Sequence, residues 1–197
     1  MRKFLLAAGA VVLLAALFGA TDLSSHLPAG VRGPVGAAGL PFKVAALGVK
    51  TPDERLAIPL RGVRVRQVAN TWGAERSEGR QHQGQDIFAP RGTPVYSATE
   101  GYVWRVGQNR LGGNVVYVVG AGGRGYYYAH LDAFAPGISA GDYVTPETVL
   151  GYVGTTGNAA GTPPHLHFGV YAPGGAINPL PLLVDRMTEG QGARGKG

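Results

Sequence analysis

The sequence predicts a mainly β domain built on an antiparallel sheet, and three observations carry that expectation. Glycine is abundant, 33 of 197 residues alongside 14 prolines, and through the middle of the chain it recurs every five to ten residues. Short runs of aromatic and β-branched residues fill the intervals, as pleated, half-buried surfaces favour. Past residue 20 no stretch carries the apolar period of an amphipathic helix.

The chain divides into four segments. Residues 1–21 read as a signal peptide or N-terminal membrane anchor: Arg2 and Lys3 precede an apolar or small run from Phe4 to Ala20. Phe18 spoils the small-x-small pattern before Ala20, which keeps an uncleaved anchor open, and the run is at the short limit for a spanning helix. Residues 22–55, with "PAGVRGPVGAAGLP", read as a Gly/Ala/Pro-rich linker. Residues 56–185 form the compact domain, of ordinary size. Residues 186–197, ending "GQGARGKG", read as a disordered tail.

Composition narrows the chemistry. The chain has no cysteine, which excludes disulfides, thiolate metal sites and a lipid-modified N-terminal cysteine. Its net charge is +6, with ten arginines between Arg55 and Arg124. A basic exported protein suits an anionic polymer such as cell wall, and the export signal disfavours nucleic acid.

Inside the domain, "TPVYSA" (Thr93–Ala98) and "GYVWRVG" (Gly101–Gly107) flank Thr99 and Glu100 and read as one hairpin. "NVVYVVG" (Asn114–Gly120) and "GYYYAHL" (Gly125–Leu131) flank "AGGR" and read as a second. "TVLGYVG" (Thr148–Gly154) and "HLHFGVY" (His165–Tyr171) follow as further strands.

The histidines fall in these strands and their connections. On a strand, His165 and His167 of "HLH" project from one face and Leu166 from the other, toward the core. In "HQGQD", a strand or a turn through Gly84 aims His82 and Asp86 at one point, and Gly84 permits the dihedrals such a turn needs. Imidazole and carboxylate suit zinc in a thiol-free site. His130 closes the aromatic run "YYYAHLD", and His26 lies idle in the linker.

Taken together and in order, H-x-x-x-D (His82, Asp86), the histidine of "YYYAHLD" (His130) and H-x-H (His165, His167) resemble the M23 zinc peptidases, the lysostaphin- and LytM-type cell-wall endopeptidases. The intervening "IFAPRGTPVYSATEGYV" and "GDYVTPETVLGYVGTTGNAAGTPP" belong to the same likeness, which runs from about Ala69 to Pro181. It implies an antiparallel β-sheet groove of the LytM/lysostaphin type, barrel-sandwich-hybrid-like, with long loops. It further implies one Zn²⁺ held by His82, Asp86 and His167, with His130 and His165 as the catalytic histidines.

Asn114, Tyr128 and Arg80 are candidate substrate contacts; Tyr127 and Arg76 are weaker ones, and Gly154, Gly157 and Gly161 are expected to shape a mobile cleft wall. The resulting expectation is a monomeric, exported periplasmic or envelope enzyme that hydrolyses amide bonds in peptidoglycan cross-linking peptides. A D-alanyl–diamino-acid link is preferred over a glycine bridge. The alternative is a non-catalytic envelope scaffold that activates amidases, although such members usually lack metal ligands that this chain has. A biotinyl or lipoyl carrier, suggested by "AGDYVTPETVLGYVG", fails because residues 56–184 contain no lysine.

Overall fold

The computed structural model describes residues 39–76 and 79–186. The expected export segment, the first half of the expected linker and nearly all of the expected tail therefore lie outside the described residues. Eleven strands are formed by the described residues: β1 (Leu56–Ala57), β2 (Gln85–Phe88), β3 (Pro94–Tyr96), β4 (Gly101–Asn109), β5 (Gly113–Gly120), β6 (Gly125–Phe134), β7 (Tyr143–Val144), β8 (Val149–Val153), β9 (His165–Ala172), β10 (Gly175–Ile177) and β11 (Leu183–Val184). Nine of them make one antiparallel sheet with the central order β10-β9-β6-β5-β4-β7, and the mainly β expectation holds. β1 and β11 pair in parallel as a small second sheet.

Strand parity separates a core face from a cleft face. Leu166, Phe168 and Val170 of β9 and Tyr126 and Tyr128 of β6 are fully buried. They pack in one core with Val116 and Val118 of β5, Ile87 of β2 and Leu150 and Val153 of β8. The alternate residues of β9, His165, His167 and Tyr171, look into the opposite cleft, as does Tyr127 of β6. Leu166 is in the core, as its parity requires.

The β5–β6 hairpin forms as expected, closed by a 3₁₀ turn (Ala121–Gly123) with left-handed Gly122 and Gly123. The expected hairpin through Thr99 and Glu100 does not form: β3 pairs with β8, and β4 pairs with β5 and β7. A two-residue hairpin loop needs positive φ, which Thr and Glu disfavour. The backbone there is engaged elsewhere: Ala98 O accepts from Ala57 N at 3.0 Å, and Ala98 N donates to the Tyr128 hydroxyl at 2.8 Å.

Helix α1 (Leu40–Gly48) stands inside the stretch expected to be linker. Pro41 opens it in the first turn, where its missing N–H costs nothing. Leu40 and Leu47 are its buried residues, and it packs against β4, β5 and the 3₁₀ turn. Lys43 lies over the Tyr102 ring, 4.9 Å from its centre. Two leucines seven residues apart are too thin an apolar stripe to be read as a helix from sequence, so tertiary packing supplies the rest.

Candidate active site

The cleft is lined by β2, β6 and β9 and by the loops before β2 and after β8, with about 880 Å³ of space. β2 and β9 pair antiparallel with Asp86 opposite His167, and β6 and β9 pair with Ala129 opposite His167. This register brings Asp86 and His167 together from opposite ends of the domain sequence. Gly84 makes the approach possible through space rather than through unusual dihedrals: a Cβ there would stand 2.6 Å from His167 Cε1 and 2.9 Å from the Phe168 carbonyl oxygen.

His82 is set by the segment in front of it. Its backbone bonds Ala74 O and Gly73 N, both at 2.9 Å, and its ring Nδ1 lies 2.7 Å from Thr71 O. A carbonyl oxygen only accepts, so Nδ1 carries the proton and Nε2 turns its lone pair to the cleft. That nitrogen lies 2.8 Å from His167 Nδ1 and 3.1 Å from Asp86 Oδ1, while His167 Nδ1 and Asp86 Oδ1 are 3.2 Å apart. The other Asp86 oxygen, Oδ2, takes an ion pair from Arg76.

A buried layer that the sequence reading missed supports β2. Gln85 accepts from Thr71 N at 2.9 Å and from Thr71 Oγ1 at 3.1 Å, and donates to Asn70 at 2.9 Å and Asn178 at 3.1 Å. Thr71 Oγ1 in turn accepts from Asp86 N at 2.9 Å. The available signal was a glutamine at a core-facing position of β2, where an unpaired amide would be costly.

His130 and His165 complete the cluster. Their ring centres are 5.0 Å apart, and that of His130 is 5.9 Å from that of His167. His130 Nδ1 is 2.9 Å from Thr156 O and His165 Nδ1 is 2.8 Å from Pro163 O, so both rings also present Nε2 away from their carbonyl partners.

Burial is the largest influence on His130 and His167 and sets the direction of both. It pushes the His130 imidazolium pKa down to about 4, assisted by the neighbouring His167 and His165 and opposed by the Thr156 carbonyl and Asp86. Burial likewise lowers His167, against the pull of Asp86. Burial alone would raise Asp86, but hydrogen bonds and charge from His167 and His82 hold its carboxyl well below the usual range.

The expected substrate contacts fare unequally. Arg80 and Arg76 line the cleft, as does Tyr127, whose ring meets His167 edge-on at 6.0 Å. Tyr128 does not: strand parity puts it on the core face, fully buried, with its hydroxyl on Ala98 N. Asn114 is spent on structure, its amide donating to Leu131 O at 3.0 Å and Asp132 O at 3.1 Å.

Two imidazole nitrogens and one carboxylate oxygen converge from His82, Asp86 and His167, a group that fits a metal ion. Zinc bonds of about 2.0–2.2 Å in a tetrahedron place neighbouring donors about 3.3 Å apart, close to the spacings present. The thiol-free donor set also suits zinc. The sheet cleft thus sets a triad able to hold a metal ion beside two further histidines whose rings face it.

The sequence profile described as Peptidase family M23 matches residues 80–179, and the chain belongs to that family. It is 41% identical over 125 residues to an L-Ala–D-Glu endopeptidase of Bacillus subtilis, covering 58% of this chain and 38% of that protein. It is 36% identical over 130 residues to the DD-carboxypeptidase/endopeptidase Mpg of Neisseria meningitidis, covering 66% and 27%. The chain thus spans well under half the length of these relatives. Among solved structures, the catalytic domain of lysostaphin from Staphylococcus simulans superposes with a TM-score of 0.53 at 28% identity, over 59% of this chain and 92% of that one. A peptidase M23 structure from Pseudomonas aeruginosa gives 0.56 at 27% identity, over 74% and 59%. The fold is therefore of the lysostaphin type.

Proposed function

We propose that this protein is a zinc-dependent endopeptidase that hydrolyses amide bonds in the cross-linking peptides of peptidoglycan. The convergence of His82 Nε2, His167 Nδ1 and Asp86 Oδ1 within 3.2 Å of one another carries the reading. These three residues would hold the ion, which when bound supplies Lewis-acid polarisation of a carbonyl and lowers the pKa of water toward about 7. His130 and His165 do the remaining work. With Nδ1 committed to a carbonyl, each offers Nε2 to accept a proton from the attacking water, return it to the leaving amine, or donate to the developing oxyanion.

The relatives' names support the substrate class, since they include L-Ala–D-Glu, DD- and glycyl-glycine endopeptidases. They also support action at the cell wall, in keeping with an exported or envelope location. The scaffold alternative is not favoured. Its members usually lack the metal ligands, and the whole constellation is present here.

The test is incubation of the purified, zinc-loaded full chain with isolated peptidoglycan and with defined cross-linked peptides, followed by mass spectrometry. New amine and carboxyl termini at one bond type support the reading and name the bond. No release by protein that retains stoichiometric zinc would refute it.

A further inference from the structure

His130 is the only non-glycine among the described residues with a left-handed backbone, at φ 63°. It sits where β6 changes partners: Ala129 is the last β6 residue paired with β9, and Leu131 is the first paired with β8. The β5–β6 register also slips at this point, between Asn114–Leu131 and Val116–Tyr128. Left-handed φ in a β-region histidine persists only where its surroundings over-determine it.

The loop between β8 and β9 supplies that determination. Its two ends hold the two histidines, Thr156 O taking His130 Nδ1–H and Pro163 O taking His165 Nδ1–H. The loop is not a free wall of the cleft. Thr156 Oγ1 donates to Leu131 O at 2.8 Å and accepts from Asn114 N at 2.9 Å, so one hydroxyl ties the loop to both strands at the slip. Asn158 N donates to Leu111 O at 2.9 Å, and a side chain at Gly113 or Gly157 would strike the opposing backbone. His130 N in turn donates to Gly112 O at 2.7 Å.

We propose that Thr156 is a positioning residue: its hydroxyl locks the β8–β9 loop into the strand slip, so that its carbonyl fixes the ring of His130 with the proton on Nδ1 and Nε2 free. The consequence for turnover rests on the catalytic reading of His130; the consequence for the ring does not.

The experiment uses zinc-loaded full chain and compares wild type with Thr156→Val, which keeps the carbonyl and removes the hydroxyl, and Thr156→Ser, which restores it. Long-range ¹H–¹⁵N spectra of the imidazoles read the tautomers directly. Wild type and Thr156→Ser should show His130 as the Nδ1–H form. Thr156→Val should lose that signal at His130 while His165, held by Pro163, keeps its own. On a cleaved peptide, kcat of Thr156→Val should fall about tenfold or more with KM and zinc content held, and Thr156→Ser should recover. If Thr156→Val does not fold, Thr156→Ala serves in its place. An unchanged His130 signal in the folded variant, loss of zinc, or failure of serine to rescue would overturn the proposal. If no peptide is cleaved by any form, the spectra still decide the positioning claim, and the functional reading fails separately.

Discussion

His82 and His167 meet through different ring atoms, Nε2 of the first lying 2.8 Å from Nδ1 of the second. The asymmetry has a local cause. His82 spends Nδ1 on the Thr71 carbonyl, whereas His167 projects from a strand and turns Nδ1 toward Asp86, 3.2 Å away. One imidazole reaches in along its long axis and the other along its short one, and the carboxylate closes the triangle.

That division of labour separates the histidines by experiment. His167→Ala removes one of three donors and should abolish both zinc retention and peptide cleavage. His130→Ala leaves the triad whole and should keep zinc while losing about 10²–10⁴-fold in turnover, the usual worth of a proton-transfer group. Zinc measured on dialysed protein beside turnover checks both. Loss of zinc in both variants, or in neither, would mean the roles are misassigned.

Gly84 should be nearly as sensitive as the three residues proposed to hold the ion. An added methyl would lie 2.6 Å from His167 Cε1 and 2.7 Å from Nε2, with strand backbone behind it. Gly84→Ala must therefore push the His167 ring aside. The expected outcome is a zinc affinity about 10–100-fold weaker by chelator competition, as when a ligand's supporting contacts are disturbed. An unchanged affinity would show that His167 adapts and is not held in a fixed pose.

These two residues also mark how far the sequence was legible. Histidine spacing and strand parity were enough to place His165, His167 and Leu166 on their faces, because a period of two leaves no freedom. Parity applied to "YYYAH" would also have put Tyr127 in the cleft and Tyr128 in the core, had the phase been set by Val116 and Val118 across the hairpin. The failed hairpin at Thr99 and Glu100 has another origin. β3 finds its partner in β8, more than fifty residues away, and no local pattern encodes that choice. Gly84 was read as a source of backbone freedom; its actual role is room for a ring from the far end of the domain, which no local pattern shows.

Acid should destabilise the metal-free protein earlier than carboxylate titration alone explains. The His130 pKa is lowered to about 4 and that of His167 is lowered too, both chiefly by burial. With an unfolded value near 6.5, the unfolded chain binds these protons first. Stability contributed by the neutral rings is thus complete above about pH 6.5 and is lost as pH falls from there toward 4. Asp86, lowered in the fold, adds a loss below about pH 3.8. For His130 alone the full loss is on the order of 3 kcal/mol. Urea midpoints of metal-free protein at pH 7 and pH 5 should differ, and His130→Asn should reduce the difference. Equal midpoints in wild type would contradict the assignment.

Arg186 should matter to stability, although it falls at the start of the segment expected to be a tail. Its guanidinium is aimed at three carbonyls from separate parts of the chain: Nε to Ile58 at 2.7 Å, one terminal nitrogen to Pro146 at 2.5 Å and the other to Ser97 at 2.8 Å. The group also lies over the Tyr96 ring, 4.9 Å from its centre. It thereby fastens β11 to the segment after β1, to the end of β3 and to the turn before β8. Hydrogen bonds from a charged donor are worth about 1.5–3 kcal/mol each, but bonds sharing one side chain do not add in full, so Arg186→Ala should cost about 2–4 kcal/mol. For a domain of this size that lowers the melting midpoint by roughly 10 °C. Arg186→Lys supplies charge without the planar fork, reaches fewer of the three carbonyls, and should recover only part of the loss. Full recovery by lysine would show that charge near the Tyr96 ring and the Glu147 carboxylate, which lies 3.7 Å from the guanidinium, and not the directed fork, is what the site requires.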